Sequence, residues 1–293
     1  MKEKIIVVLG PTASGKSDLA VEIAHLVNGE VISADSRQVY KGLDIGTGKI
    51  TKKEMCGVPH YLLDVASPKR KFTAAQFRTH ATEAIKKIQK SGKIPIICGG
   101  TGFYIDTLIN KNPLPSVKPN LKLRKKLESK SIEELLNRLK KTDTDSFARI
   151  EKKNKRRIIR AIEIGINLGS VPPLIKEYKY DILFIGIKPK NLETRIRLRL
   201  KRRIKSGLIS EAKKLRKSGL SFKRMDSLGL EYKFLSQLLQ GRVTRSEFEE
   251  NLAIAIRQYA KRQNTWFKRN KEIHWFPTGK DKKITPLVRK FLN

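Results

Sequence analysis

Cysteine is scarce. Cys56 and Cys98 stand alone in 293 residues, far from any metal-type spacing, and the four histidines are scattered. That count excludes a disulfide framework and a zinc site as organising features. Long apolar runs are also missing, and none approaches a membrane span. Met1-Lys2-Glu3-Lys4 leads straight into a short apolar run, which leaves no room for a secretory leader. A soluble, cytoplasmic protein is expected. Acidic residues are few, with 28 Asp and Glu against 64 Lys and Arg, a formal charge of +36. A small-metabolite enzyme has no need of such a charge, which costs self-repulsion, whereas a polyphosphate partner such as RNA explains it directly. A proteome rich in lysine throughout is the other reading, and part of the excess belongs there.

What the chain does have begins at Gly10-Pro11-Thr12-Ala13-Ser14-Gly15-Lys16-Ser17, a complete G-x-x-x-x-G-K-S phosphate loop. It lies between the apolar run Ile5-Ile6-Val7-Val8-Leu9 and the amphipathic stretch from Asp18 to Val27. A strand delivering the chain, glycines permitting tight curvature and a helix starting with free amides make an anion cradle. Lys16 neutralises phosphate oxygens in such a loop, and the Ser17 hydroxyl ligates Mg²⁺. The chain is therefore expected to bind a di- or triphosphate.

Glu30-Val31-Ile32-Ser33-Ala34 reads as a second buried strand ending at Asp35. Thr73-Ala74-Ala75-Gln76 is a capping box opening a helix with Ala81, Ala84, Ile85 and Ile88 inward and Gly92 at its end. Ile94 to Cys98 forms the next strand, and Gly99-Gly100-Thr101-Gly102 turns into a further helix. Strands alternating with helices predict a parallel sheet with right-handed crossovers. The rhythm breaks at Lys111. From there to about Tyr180 the patterns are helical, with Pro113, Pro115 and Pro119 at the entry, a capping box at Ser131 and Pro172-Pro173 at the exit. Asp181 to Ile187 restores an apolar strand, and basic helices follow. One of these is opened by the capping box at Thr244. It is expected to bury Phe248, Leu252, Ile256 and Tyr259, with Arg257, Lys261, Arg262, Lys268 and Arg269 crowding its second half. The fold class is α/β: a P-loop NTPase-like parallel sheet core, 1–110 plus 181–293, with a helical insertion domain, 111–180, placed where a lid would be. No long apolar helix face is left over, so a monomer is expected.

Asp35-Ser36-Arg37-Gln38-Val39-Tyr40 follows the second strand, and residues just past strand C-termini line the crevice of an open parallel sheet. A carboxylate there serves as a general base, as a ligand behind a magnesium ion, or only as the acceptor that closes its own turn. Ser36 to Tyr40 offers hydroxyl, guanidinium, amide and phenol groups in five residues, which suits a nucleobase better than a core.

With these pieces the chain resembles the tRNA dimethylallyltransferases, also called tRNA isopentenyltransferases. The resemblance rests on GPTASGKS, DSRQVYKGLDIGTGK, VPHYLLDV, FTAAQFR, PIICGGTGFYIDTL, RRIIRAIEI and YAKRQNTWF, in the family's order and spacing over nearly the whole chain. GPTASGKS alone would suit many nucleotide-binding proteins; DSRQVYK, GGTGFY and KRQNTWF in that order are far more specific. The resemblance implies transfer of a dimethylallyl group from its diphosphate to the exocyclic N6 of the adenosine 3′ of the anticodon, with base flipping. The phosphate loop would then hold the diphosphate leaving group. An adenine amino group is a poor nucleophile because its lone pair is delocalised, so it needs a base while the allylic carbon loses diphosphate.

By this resemblance Asp35 is the base, Lys16 stabilises the leaving group, and Gly10, Pro11, Thr12, Ala13, Ser14, Gly15, Lys16 and Ser17 grip the diphosphate with Mg²⁺ on Ser17. Asp35, Ser36, Arg37 and Gln38 contact the flipped nucleotide and its neighbours. Thr101, Arg156, Arg157, Arg160 and Arg124 contact the tRNA anticodon arm, although Thr101 also reads as a cap for the Gly102 helix. Arg195 and Arg199, four apart on a helix, reach either the diphosphate or RNA. Two departures stand out. The family usually has an acidic residue and proline before its basic helix, where this chain has Lys153-Asn154-Lys155, and a methionine is common where it has Arg203. The zinc finger of eukaryotic members is not seen, as expected of a bacterial-type enzyme. The rivals are a transferase acting on free AMP or ADP, a small-molecule kinase and a non-catalytic RNA-binding module. The insertion and the charge argue against the first, while the intact loop with Asp35 argues against the last.

Overall fold

The computed structural model describes residues 2–110, 114–115, 117–172 and 177–293. Met1, Lys111, Pro113 and Pro173, all used above as sequence signals, lie outside them. The chain divides into two compact units, Met1–Ile109 with Tyr178–Asn293, and Asn110–Glu177.

The first unit opens with β1 (Lys4–Leu9), α1 (Lys16–Val27), β2 (Gly29–Ser33), α2 (Lys52–Met55), β3 (His60–Tyr61), α3 (Ala74–Lys90), β4 (Ile94–Gly99) and α4 (Gly102–Ile109). The second holds α5 (Leu121–Glu128), α6 (Ile132–Thr142), α7 (Thr144–Arg149) and α8 (Lys155–Leu168). The first unit resumes with β5 (Asp181–Ile187), α9 (Leu192–Lys205), α10 (Leu208–Lys217), α11 (Phe222–Leu228), α12 (Leu230–Leu239), α13 (Arg245–Phe267), β6 (His274–Phe276) and α14 (Ile284–Leu292).

The six strands form one parallel sheet in the order β3-β2-β4-β1-β5-β6. Both faces of a parallel sheet are covered, so its strands read as unbroken apolar runs. Along β1, Ile5, Val7 and Leu9 join Ile97, Phe184, Phe77 and Ile85 on one face, while Ile6 and Val8 join Ile96, Ile185, Leu19 and Ile23 on the other. Each fully buried aliphatic side chain contributes about 1.5–3 kcal/mol. Chain order reverses about β1, which sits between β4 and β5. A crevice therefore opens beyond its carboxyl end. A third cluster ties the segment after β2 to the C-terminal helices: Val39, Tyr40 and Leu43 pack with Leu200, Leu208, Tyr232, Phe248 and Leu252.

Capping boxes at Thr73 and Thr244 start α3 and α13 as the sequence predicts. The two-residue β3 and three-residue β6 are additions to that reading, so the strand before Thr101 is the fourth in the chain. Tyr259 is a correction: it lines the crevice instead of joining the core beside Phe248 and Leu252. Lys268 and Arg269 lie past the end of α13.

Within the second unit the helices are capped by Asn120, Ser131, Asp143 and Asn154, whose side chains accept from the amides of Leu123, Glu134, Ser146 and Arg157. Leu127, Leu135, Leu139, Ile158 and Ile162 form its core. Glu163 is fully buried among them, where an unpaired carboxylate would be costly. It accepts from the Asn120 amide (2.6 Å), from Arg124 Nε (3.0 Å) and from Arg160. Burial pushes its carboxyl up, but the bonds from Arg124, Asn120 and Arg160 outweigh that and hold it at about 2.

Candidate active site

The phosphate loop follows β1 into α1 and is held from two sides. Gly10 has φ +154°, and a Cβ there would come within 2.5 Å of the Ile187 carbonyl oxygen. From α13, the buried Gln263 accepts from the Thr12 amide (2.8 Å) and donates to the Gly100 carbonyl (2.8 Å). From α9, Arg195 Nε donates to the Ala13 carbonyl (2.8 Å). Ser14 Oγ is buried without a hydrogen-bond partner among the described residues. Buried hydroxyls are almost always paired, and an orphan inside a phosphate loop is satisfied by a phosphate oxygen.

A cleft of about 910 Å³ spreads from this loop over the ends of β2 and β4, lined among others by Lys16, Ser17, Asp35, Gln38, Arg199 and Tyr259. Lys16 Nζ donates to the Pro11 carbonyl (3.3 Å). Burial lowers the Lys16 pKa below the ordinary lysine value; Arg199 and Arg203 lower it too, while Cys98 and Asp35 oppose them. An anion in the cleft favours the charged form again. Burial, together with Arg203, pulls Arg199 down to about 10. Such a cationic, partly dehydrated well suits a polyanion, whose charge it would leave poorly screened. The Ser17 hydroxyl, in the same lining, is a hard oxygen donor. One such donor beside a phosphate cradle fits a small hard cation that completes its shell with phosphate oxygens and water.

Asp35 uses one oxygen for its own turn: Oδ1 accepts from the amides of Arg37 (2.8 Å) and Gln38 (3.3 Å). Its other oxygen makes no hydrogen bond to a described residue, and the side chain lines the cleft. The turn-closing and chemical readings of Asp35 are thus compatible. Thr101 Oγ1 accepts from the Ser36 amide (3.0 Å), fixing the turn after β2 to the turn after β4. Gln38 bridges Ser33 and the Gly48 carbonyl, half-buried at the cleft wall.

The arrangement brings together Gly10 to Ser17, Asp35 to Gln38, Thr101, Arg195 and Arg199, all in the first unit. Arg124, Arg156, Arg157 and Arg160 belong to the second. There Arg124 and Arg160, each about a third exposed, are first of all the partners of Glu163. Arg157 pairs with Glu151 at 2.8 Å on the surface, and Arg156 is exposed. The sequence assigns no cleft role to Gln263, Arg203, Glu231 or Tyr259, yet all four line the cleft. Arg203 NH1 bonds Glu231 Oε1 at 2.9 Å, and both side chains are nearly buried in the cleft wall. The one available signal was Arg203 itself, which departs from the methionine common in the family.

The family model for IPP transferase matches residues 38–270. A tRNA dimethylallyltransferase 2 of Treponema denticola is 43% identical, covering 94% of this chain and 96% of its own. A tRNA dimethylallyltransferase of Anoxybacillus flavithermus is 42% identical, covering 96% and 92%. Among solved structures, the full-length tRNA isopentenylpyrophosphate transferase of Bacillus halodurans superposes with a TM-score of 0.75 at 36% identity, covering 100% of this chain and 97% of that one. A eukaryotic dimethylallyltransferase described as acting on tRNA gives 0.82 at 30% identity, covering 96% and 75%. On the match of sequence and fold alike, the chain belongs to the IPP transferase family, the tRNA dimethylallyltransferases.

Proposed function

We propose that this enzyme moves a dimethylallyl group from dimethylallyl diphosphate to N6 of the adenosine 3′-adjacent to the anticodon of tRNA, releasing diphosphate. The observation that carries this reading is one cleft holding a complete anion cradle, with Lys16, Arg195 and Arg199, and a carboxylate with an uncommitted oxygen, Asp35. The loop amides, the Ser14 hydroxyl and Lys16 take the diphosphate. Asp35 accepts the N6 proton as the new N–C bond forms and the allylic C–O bond breaks, and the electrons of the broken bond leave on the diphosphate. Mg²⁺, held by the Ser17 hydroxyl and the diphosphate oxygens, would supply further neutralisation of the leaving charge.

Ser36, Arg37 and Gln38 offer hydrogen bonds to the flipped nucleotide and its neighbours, and Thr101 holds their turn. Arg156 and Arg157, the more exposed arginines of α8, are the RNA contacts we favour in the helical unit. Arg124 and Arg160 shape that surface through Glu163 and reach RNA with their exposed edges. Arg195 and Arg199 are assigned to the diphosphate, since Arg195 is bonded to the phosphate loop itself. The protein acts as a cytoplasmic monomer in this reading, and no helix among the described residues is long and apolar enough to cross a membrane.

The test separates a transferase from a kinase. The protein is incubated with tRNA and either dimethylallyl diphosphate or ATP, and inorganic diphosphate is titrated as an inhibitor. Prenylated adenosine with the first donor and competition by diphosphate against it are expected, with Lys16→Ala weakening donor use above all. Transfer of a γ-phosphoryl group from ATP would contradict the assignment.

A further inference from the structure

Glu211, on α10, does not line the cleft, yet its carboxylate is among the most heavily bonded in the protein. Oε2 accepts from the amides of Asp44 (2.9 Å) and Ile45 (2.6 Å); Oε1 accepts from the Gly46 amide (3.0 Å) and the Tyr232 hydroxyl (2.6 Å). Three successive amides converging on one carboxylate fix the start of the turn Asp44–Gly48. The far side is closed by Lys49, whose nearly buried ammonium bonds the Tyr40 carbonyl (2.9 Å), Asp44 (2.6 Å) and Asp64 (2.6 Å).

The turn so built presents two carbonyl oxygens to the cleft wall. Gly46 O accepts from Arg203 NH1 (3.2 Å). Gly48 O accepts from Arg199 NH2 (3.2 Å) and from Gln38 Nε2 (3.3 Å). One oxygen therefore holds a guanidinium assigned to the diphosphate and an amide assigned to the nucleobase. The fit is close: Gly48 has φ +56°, and a Cβ there would collide with the guanidiniums of both Arg199 and Arg203. At Gly46 a Cβ would lie 2.6 Å from the Tyr232 hydroxyl.

We infer that the Asp44–Gly48 turn is a common seat for the donor and acceptor halves of the cleft, and that Glu211 is the positioning residue that holds it. Like charges such as Arg199 and Arg203 do not stay side by side unaided, and carbonyl oxygens at fixed positions are what keeps them aimed into the well. A displacement of the turn moves Arg199 and Gln38 together, so donor and acceptor binding respond as a pair.

The inference rests on the transferase reading, and the experiment separates the two. Inhibition by inorganic diphosphate, competitive with dimethylallyl diphosphate, is measured for the full-length wild type, Glu211→Gln, Arg199→Ala and the double variant. The Michaelis constant for an anticodon stem-loop is measured for Glu211→Gln with and without Gln38→Ala. Glu211→Gln puts an amide NH₂ against backbone N–H donors and shifts the turn. It is expected to raise the diphosphate inhibition constant about tenfold when Arg199 is present and less than about twofold when it is absent, because neighbours acting through one contact are not additive. The stem-loop constant is expected to rise in the same way, only when Gln38 is present. Gly48→Ala, which leaves Glu211 untouched, is expected to reproduce both effects. Inhibition constants unchanged in Glu211→Gln and Gly48→Ala, or raised equally with and without Arg199, would overturn the common seat while leaving the transferase reading intact. Failure of diphosphate to compete in the wild type would overturn both.

Discussion

Asp35 can serve its turn and the chemistry because the two tasks fall on different oxygens. Oδ1 carries the Arg37 and Gln38 amides, which an asparagine oxygen also accepts, so Asp35→Asn keeps the turn and removes only the proposed proton acceptor. Transfer is expected to fall by roughly 10²–10⁴, the usual range for a lost general base. Single-turnover rates and stem-loop binding check this, with binding held within a few-fold; near wild-type turnover would remove Asp35 from the mechanism. At this scale the sequence is informative wherever the geometry is local. Lys16, Ser17 and Asp35 are legible because a strand end, a glycine turn and a helix start are contiguous in the chain. Gln263 and Glu163 were not, although both sit in motifs the sequence displays. Nothing in KRQNTWF says that its glutamine is buried against the phosphate loop, and nothing in RRIIRAIEI says that its glutamate is sealed in a helical core. Burial of a polar side chain is decided by what packs over it.

Helix starts were legible for the same reason that side chains at turns were. The boxes at Thr73, Ser131 and Thr244 join a hydroxyl to an amide three residues away, so local sequence contains both partners. The short strands β3 and β6 have too few residues to show a period and exist only because a sheet edge accepts them. The helical unit adds an element held by charge. Glu163 is held at about 2 in the folded state, against an ordinary value of 4.5, so its contribution is present above about pH 4.5 and is lost as the pH falls toward about 2. Glu163→Gln leaves Arg124 and Arg160, each about a third exposed, without their carboxylate and is expected to cost about 1–3 kcal/mol. Denaturant melts of the helical signal between pH 2 and pH 6 check both: the wild type loses stability through that window, and the variant is less stable at pH 6 with a flatter acid limb. A variant as stable as wild type, with the same acid limb, would show that the triad does not hold the unit.

At the scale of the whole molecule, a charge of +36 and a helical unit of 68 residues serve no purpose for a free nucleotide. They make sense if remote contacts provide the binding energy that unstacks one base and brings its N6 to Asp35. Base flipping costs a few kcal/mol, which a free nucleotide never incurs and which backbone contacts to an anticodon arm offset. The consequence is that a truncated acceptor loses turnover as well as affinity. The direct measurement supplies dimethylallyl diphosphate with an anticodon stem-loop carrying adenosine 3′ of the anticodon, the same stem-loop carrying guanosine there, or AMP at millimolar concentration. Products are read by mass spectrometry of the nucleosides. The account predicts prenylated adenosine from the first stem-loop, none from the second, which lacks the 6-amino group, and almost none from AMP. Prenylation of AMP at a rate matching the stem-loop would contradict it.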